Sequence, residues 1–188
     1  MNKFLLILLL SLFYFSKAHS LEYDWENIVK KNTPNITLNL SSQNPKEPKE
    51  LLSNRVIGNM YVQTEDAVLN NEYYFFKEGC RPHSCPEKGV VWIDKKKKVF
   101  IGLVVHKYFE DTQTDKSKSW FDLPKNYLFF SSSIKSFEEI PIEFWMHFKK
   151  LEKNRMQFGY GNPETVRFIG NDKQVINVTA IFEKKIKQ

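Results

Sequence analysis

The pattern of apolar and polar residues predicts a domain dominated by β-strands from about residue 55 onward. Lys95–Lys98 separate two apolar runs and predict the polar turn of a long hairpin. Gly170, Asn171 and Asp172 predict a second hairpin turn near the C-terminus. The aromatic and β-branched runs, which favour strands, are residues 73–76, 90–93, 99–109, 127–130, 165–169 and 175–182.

One segment has helical spacing instead. Phe144, Phe148 and Leu151 recur at intervals of three or four residues, with charged residues between them. Pro141 suits the first turn of a helix, so the pattern predicts a helix over residues 141–154. The sequence therefore predicts an α+β fold, a mainly antiparallel sheet with this amphipathic helix packed on one face.

The N-terminal residues read as a targeting segment. Lys3 precedes an apolar run of about a dozen residues, and small residues such as Ala18 and Ser20 follow it. The run is too short to span a bilayer, which needs about 20 residues. We interpret residues 1–20 as a signal peptide, residues 21–54 as a poorly ordered or loosely attached segment, and residues 55–188 as a single domain with a C-terminal helix and hairpin.

The net charge gives little support for nucleic-acid binding. The chain has 188 residues and a formal charge of +6, and removal of residues 1–20 would take away Lys3 and Lys17, which leaves +4. The run Lys95–Lys98 alone supplies that excess. We expect no nucleic-acid partner, no membrane association after signal cleavage, and a periplasmic, oxidising location.

The most informative motif is the segment from Cys80 to Cys85, which contains both cysteines of the chain. An exported context favours a disulfide between them. Pro82 would stiffen the closed turn, and His83 must point outward because so small a ring has no interior. The sequence also allows a structural turn in which His83 has no role.

Metal and catalytic interpretations of the same motif are weaker. Cys80, His83 and Cys85 would leave a zinc site without a fourth ligand, and oxidation would remove the thiolates. We therefore expect no metal, no cofactor and no catalytic residue. His106 and His147 read as ordinary strand and helix residues.

The motif and its surroundings resemble the Ivy family, inhibitors of vertebrate (C-type) lysozyme. The resemblance covers about residues 73–124. It rests on the closed turn, on the Val/Trp-rich hairpin that follows it, and on the segment Lys118-Ser119-Trp120-Phe121-Asp122.

The resemblance implies an inhibitor rather than an enzyme. In this family a disulfide-closed loop protrudes from an α+β domain and enters the lysozyme cleft, where its histidine reaches the catalytic carboxylates. The family commonly has Asp at the position of Ser84. Dimers among its members make a homodimer possible for this chain. The inhibitory loop implied here consists of Cys80, Arg81, Pro82, His83, Ser84 and Cys85, with a disulfide between Cys80 and Cys85.

A second interpretation stays open because C-type lysozymes are themselves basic. Like net charge slows encounter, so either the target is a related glycan-cleaving enzyme or the surface near the loop is more acidic than the whole. Glu78 and Glu87 lie close to the loop in sequence, and so do Arg81 and Lys88. The alternative is a non-enzymatic interaction or immunity module with the same fold, directed at an envelope enzyme such as a lytic transglycosylase.

Overall fold

A computed structural model describes residues 24–38, 49–62, 68–106, 125–154 and 162–187. The expected signal peptide and the segment Lys118–Asp122 lie outside these residues. The helices in the described residues are α1 (Trp25–Asn32), α2 (Leu52–Gly58), α3 (Ile142–Asn154) and α4 (Thr179–Lys187), with a 3₁₀ turn at Phe137–Glu139. The strands are β1 (Thr37–Leu38), β2 (Glu50–Leu51), β3 (Val68–Asn70), β4 (Tyr74–Arg81), β5 (Ser84–Asp94), β6 (Val99–His106), β7 (Asn126–Phe130), β8 (Thr165–Ile169) and β9 (Val175–Asn177).

Seven strands form one sheet in the order β3-β4-β5-β6-β7-β8-β9, and β1 pairs with β2 separately. Each neighbouring pair in the large sheet is antiparallel except β7 and β8, which are parallel. A parallel pair needs a long crossover connection, and α3 lies in it. The predicted α+β class with a mostly antiparallel sheet is therefore confirmed.

Helices cover both faces of the sheet, whereas the sequence predicted a helix on one face. Phe144, Phe148 and Phe182 of α3 and α4 pack against one face. Val29 and Val56 of α1 and α2 pack against the other. Because both faces are buried, the central strands are continuously apolar rather than alternating.

The long hairpin of β5 and β6 has the predicted lysine turn. Asp94 Oδ1 accepts hydrogen bonds from the backbone N–H groups of Lys96 and Lys97, at 2.9 and 2.8 Å. Lys98 has a φ of 57°, which closes the turn. This turn lies at one end of the sheet, and the segment Cys80–Cys85 lies at the opposite end of β5.

Two segments differ from the sequence interpretation. Residues 175–182 were expected to be one strand, but β9 ends at Asn177 and α4 begins at Thr179. Asn177 Oδ1 accepts the Thr179 N–H at 3.0 Å, and Val178 and Phe182, one helical turn apart, are both buried. This packing overrides the strand preference of the β-branched residues around it.

The described N-terminal residues are also packed more closely than the expected loose attachment. Asp24 accepts a hydrogen bond from the Asn27 N–H, at 3.2 Å, and caps α1. Val29 of α1 and Leu52 of α2 are fully buried in the core on their face of the sheet. In the sequence, Val29 and Leu52 lie among polar residues and prolines, so no apolar pattern predicts that they are buried.

Candidate functional site

The stapled turn, defined here as Cys80–Cys85, joins β4 to β5. The predicted disulfide between these two cysteines is present, with their Cα atoms 4.7 Å apart. Inside it, Arg81 pairs with Ser84 across the hairpin, which leaves Pro82 and His83 as the two residues of the turn. Arg81, Pro82 and His83 are exposed.

His83 has an uncommon backbone conformation, with a φ of 61°. Proline fixes a negative φ at the preceding position, and a negative φ followed by a positive one is the pattern of a type II turn. Glycine is the usual residue at that second position, and a side chain there costs about 1 kcal/mol. The staple and the Arg81–Ser84 pair hold this conformation. Within the described parts of the chain, no residue hydrogen-bonds to the ring of His83.

A bulge in β5 lies directly beside the turn. Cys80 pairs with Lys88, but the next residue, Arg81, already pairs with Ser84. Three residues of β5, Cys85 to Glu87, therefore have no partner on β4. Bulges of this kind redirect side chains, and here Glu87 is completely buried.

Glu87 connects the stapled turn to the interior of the sheet. Its Oε2 accepts a hydrogen bond from Arg81 Nη1 at 3.0 Å, and its Oε1 lies 2.8 Å from Nδ1 of His106, which is also completely buried. Arg81 is half-exposed, so the ion pair spans from the surface of the turn to the core.

The electrostatic environment keeps this carboxylate ionised. Burial alone would raise the pKa of Glu87, but the hydrogen bond from His106 and the positive charges nearby outweigh burial and lower the pKa. Burial lowers the pKa of His106, and Arg55 and Arg81 add to that effect, while the hydrogen bond to Glu87 opposes it. At neutral pH the arrangement is an ionised Glu87 that accepts the Nδ1–H of a neutral His106 and the charged donor of Arg81.

The sequence interpretation missed this role of His106, although a signal was present. β5 and β6 pair Lys88 with Val105, and one further step along both strands places Glu87 opposite His106. The position of the lysine turn determines that register. The pairing of a carboxylate with an imidazole across the two strands could therefore have been found from the hairpin, although its burial could not.

A second acidic residue near the turn is also internal. Glu78 is completely buried, and its Oε1 lies 3.4 Å from Nζ of the buried Lys88. Neither Glu78 nor Glu87 makes the surface around the turn acidic, because both carboxylates are buried and paired with basic groups. The turn itself presents Arg81 and His83 to solvent.

The other histidine that reads as ordinary, His147, anchors α3 to the sheet. Its Nδ1 accepts a hydrogen bond from Nε1 of Trp92 at 2.9 Å, and the ring of Tyr74 stacks on Trp92 at a centroid distance of 5.6 Å. Burial lowers the pKa of His147, and the neighbouring Lys150 lowers it further.

Acid should destabilise this fold before its carboxylates titrate. His106 and His147 both have a pKa below the ordinary histidine value of about 6.5, so just below that pH the unfolded chain binds protons that the folded chain does not. We expect the melting temperature to fall as the pH decreases from about 7.5 to 5. Thermal unfolding at constant ionic strength measures this. His147→Gln should reduce the fall and leave the part due to His106; an equal fall in the variant would contradict the role of His147.

These features define an α+β domain that presents a disulfide-closed turn with an exposed histidine. The family model for the inhibitor of vertebrate lysozyme (Ivy) matches residues 23–130, and the chain belongs to this family. No curated protein and no solved structure matches the chain.

Family membership supports a role in lysozyme inhibition in general terms and agrees with a non-enzymatic protein. The matched region includes the stapled turn and ends at the last residue of β7, so α3, β8, β9 and α4 lie beyond it. None of the helices among the described residues has the length and the apolar composition that a membrane-spanning segment requires.

Proposed function

We propose that this protein is an exported inhibitor of C-type lysozyme, or of a related muramidase, and that it blocks the catalytic cleft by inserting the stapled turn. The observation that carries the proposal is the exposed ring of His83, held at a positive φ at the tip of a turn that a disulfide closes. Residues 1–20 would direct the chain to the periplasm, and residues 21–188 would form the mature protein.

The chemistry of the target explains why an imidazole is suitable. A retaining glycosidase holds its two catalytic carboxyl groups about 5 Å apart, one protonated and one ionised. A neutral imidazole donates a hydrogen bond from one nitrogen and accepts one at the other, and a charged imidazole donates from both. Such bonds to a carboxylate in a cleft without water are among the stronger hydrogen bonds in proteins. Substrate is then excluded without any reaction by the inhibitor.

The construction of the turn lowers the entropic cost of insertion. The disulfide, the Arg81–Ser84 pair and the ring of Pro82 restrict the backbone on both sides of His83. The Arg81–Glu87 ion pair restrains the base of the turn. A segment that is ordered before binding loses less conformational freedom on binding, so more of the contact energy appears as affinity.

The charge near the tip is compatible with an acidic cleft. Glu78 and Glu87 are buried and neutralised internally, so Arg81 and His83 face the target. Each of these carboxylates is paired with a basic group, so the turn brings no unpaired carboxylate toward the two carboxyl groups of the cleft. Where both proteins carry a net positive charge, the overall repulsion should slow association, and added salt should reduce that repulsion.

The proposal is tested by measuring lysis of a peptidoglycan suspension by a C-type lysozyme in the presence of the purified protein. We expect inhibition at a stoichiometry of one inhibitor per enzyme. A lytic transglycosylase is assayed in parallel, and inhibition of that enzyme instead of the lysozyme would identify the alternative target. The net charge of about +4 of the mature chain favours that alternative, because it repels a basic lysozyme. If neither enzyme is inhibited, the proposal is wrong.

A further inference from the structure

Two exposed apolar residues lie directly beside the stapled turn. Tyr61 is 62% exposed and Val62 is 43% exposed, and we call this pair the flanking strip. Val62 pairs with Cys80 through two backbone hydrogen bonds, of 3.1 and 2.9 Å. The strip is therefore attached to one of the two residues that form the disulfide.

The strip is held firmly by the residues that precede it. Met60 and Asn59 are completely buried, and the Asn59 carbonyl accepts the N–H of Gly89 at 3.0 Å. Gly79 lies so close to Met60 that a Cβ at Gly79 would be 2.7 Å from the Met60 Cα. The strip thus has a defined position relative to the turn, and Tyr61 is exposed on a rigid support.

The stapled turn alone offers a small contact area. A stable, specific complex buries about 800 Å² on each partner, from some 20–30 residues. A six-residue turn supplies only a fraction of that number, so an inhibitor that inserts it needs further contacts on the same side. Tyrosine is suited to such contacts because it is enriched at binding hot spots and combines a large apolar ring with a polar hydroxyl.

We infer that the flanking strip is a second contact site for the target enzyme, in which Tyr61 and Val62 pack on apolar surface at the rim of the cleft that receives His83. The inference rests on the proposed function. It adds to the His83 interaction a site that determines residence time and the choice among glycan-cleaving enzymes.

The chain offers matched control residues. Ile142 and Met146 are 68% and 65% exposed, but Glu143 beside them forms an ion pair with Lys97 in the lysine turn, at the end of the sheet opposite the stapled turn. Substitutions at these positions remove exposed apolar surface of similar character without touching the proposed interface.

The test measures binding of the inhibited enzyme to the wild-type protein, Tyr61→Ala, Val62→Ser, Met146→Ser and Ile142→Ser by surface plasmon resonance. Tyr61→Ala should weaken binding at least about 10-fold, mainly through faster dissociation, and Tyr61→Phe should recover most of the affinity. The two controls should stay within about twofold of wild type, and thermal unfolding checks that all variants fold.

The outcomes separate this inference from the proposed function. If the wild type inhibits an enzyme and His83→Ala does not, while Tyr61→Ala binds within twofold of wild type, the flanking strip has no such role and the insertion mechanism stands. Equal weakening by the Met146→Ser control would also overturn the inference. If the wild type binds neither a C-type lysozyme nor a lytic transglycosylase, both proposals are wrong.

Discussion

His83→Ala should weaken inhibition of the target enzyme at least about 30-fold, equivalent to about 2 kcal/mol, which is the level of a binding hot spot. The substitution removes the only aromatic ring of the turn and both of the nitrogens that would contact the catalytic carboxyl groups. Isothermal titration and a lysis assay measure the loss. The disulfide and the Arg81–Glu87 ion pair do not involve His83, so the folded structure should persist.

His83→Gly provides a control that separates binding from stability. Glycine adopts a φ of 61° without steric cost, so this variant should unfold at the same temperature as the wild type or slightly higher. It should nevertheless inhibit as poorly as His83→Ala. Full inhibition by either variant would show that the imidazole is not the group that occupies the cleft.

Glu87→Ala should lower the free energy of unfolding by about 3 kcal/mol, because it removes a hydrogen bond to a completely buried imidazole, removes an ion pair and leaves a cavity in the sheet. The hydrogen bond that is lost joins Glu87 to the completely buried His106. The ion pair that is lost holds Arg81 at the base of the turn. Urea unfolding monitored by tryptophan fluorescence measures the change.

Glu87→Gln is the matched variant, since its amide oxygen still accepts one hydrogen bond and its size is unchanged. It should recover part of the stability but not the ion pair with Arg81. If Glu87→Ala changes stability by less than about 0.5 kcal/mol, which is typical of a surface substitution, the network does not restrain the turn.

The elements that depend on local patterns could be predicted from the sequence. The hairpin of β5 and β6 follows from two apolar runs around four lysines, and α3 follows from the spacing of its aromatic residues. The Cys80–Cys85 disulfide follows from two cysteines in a chain that carries an expected signal peptide. The hairpin and α3 are each encoded in one continuous segment of the chain.

The features that the sequence did not reveal depend on contacts between distant segments. α4 contains β-branched residues that favour a strand, and it is helical because Val178 and Phe182 face the same core. The burial of Val29 and Leu52 requires the opposite face of the sheet, which no local pattern specifies. Charged residues are seldom fully buried, so nothing in the sequence places Glu78 and Glu87 in the interior. Lys88 is the partner of Glu78, and Arg81 and His106 are partners of Glu87, and these contacts make burial tolerable.

The parallel pairing of β7 with β8 has a consequence for the part of the chain that carries the family signature. Residues 131–187, beyond the family match, provide β8, which occupies the hydrogen-bonding edge of β7, and α3 and α4, which cover one apolar face. Without them, five buried residues of β7 would form an open edge of the kind that recruits other chains into aggregates. A shortened protein designed around the stapled turn would therefore need another strand to pair with β7 and another apolar layer to cover that face of the sheet.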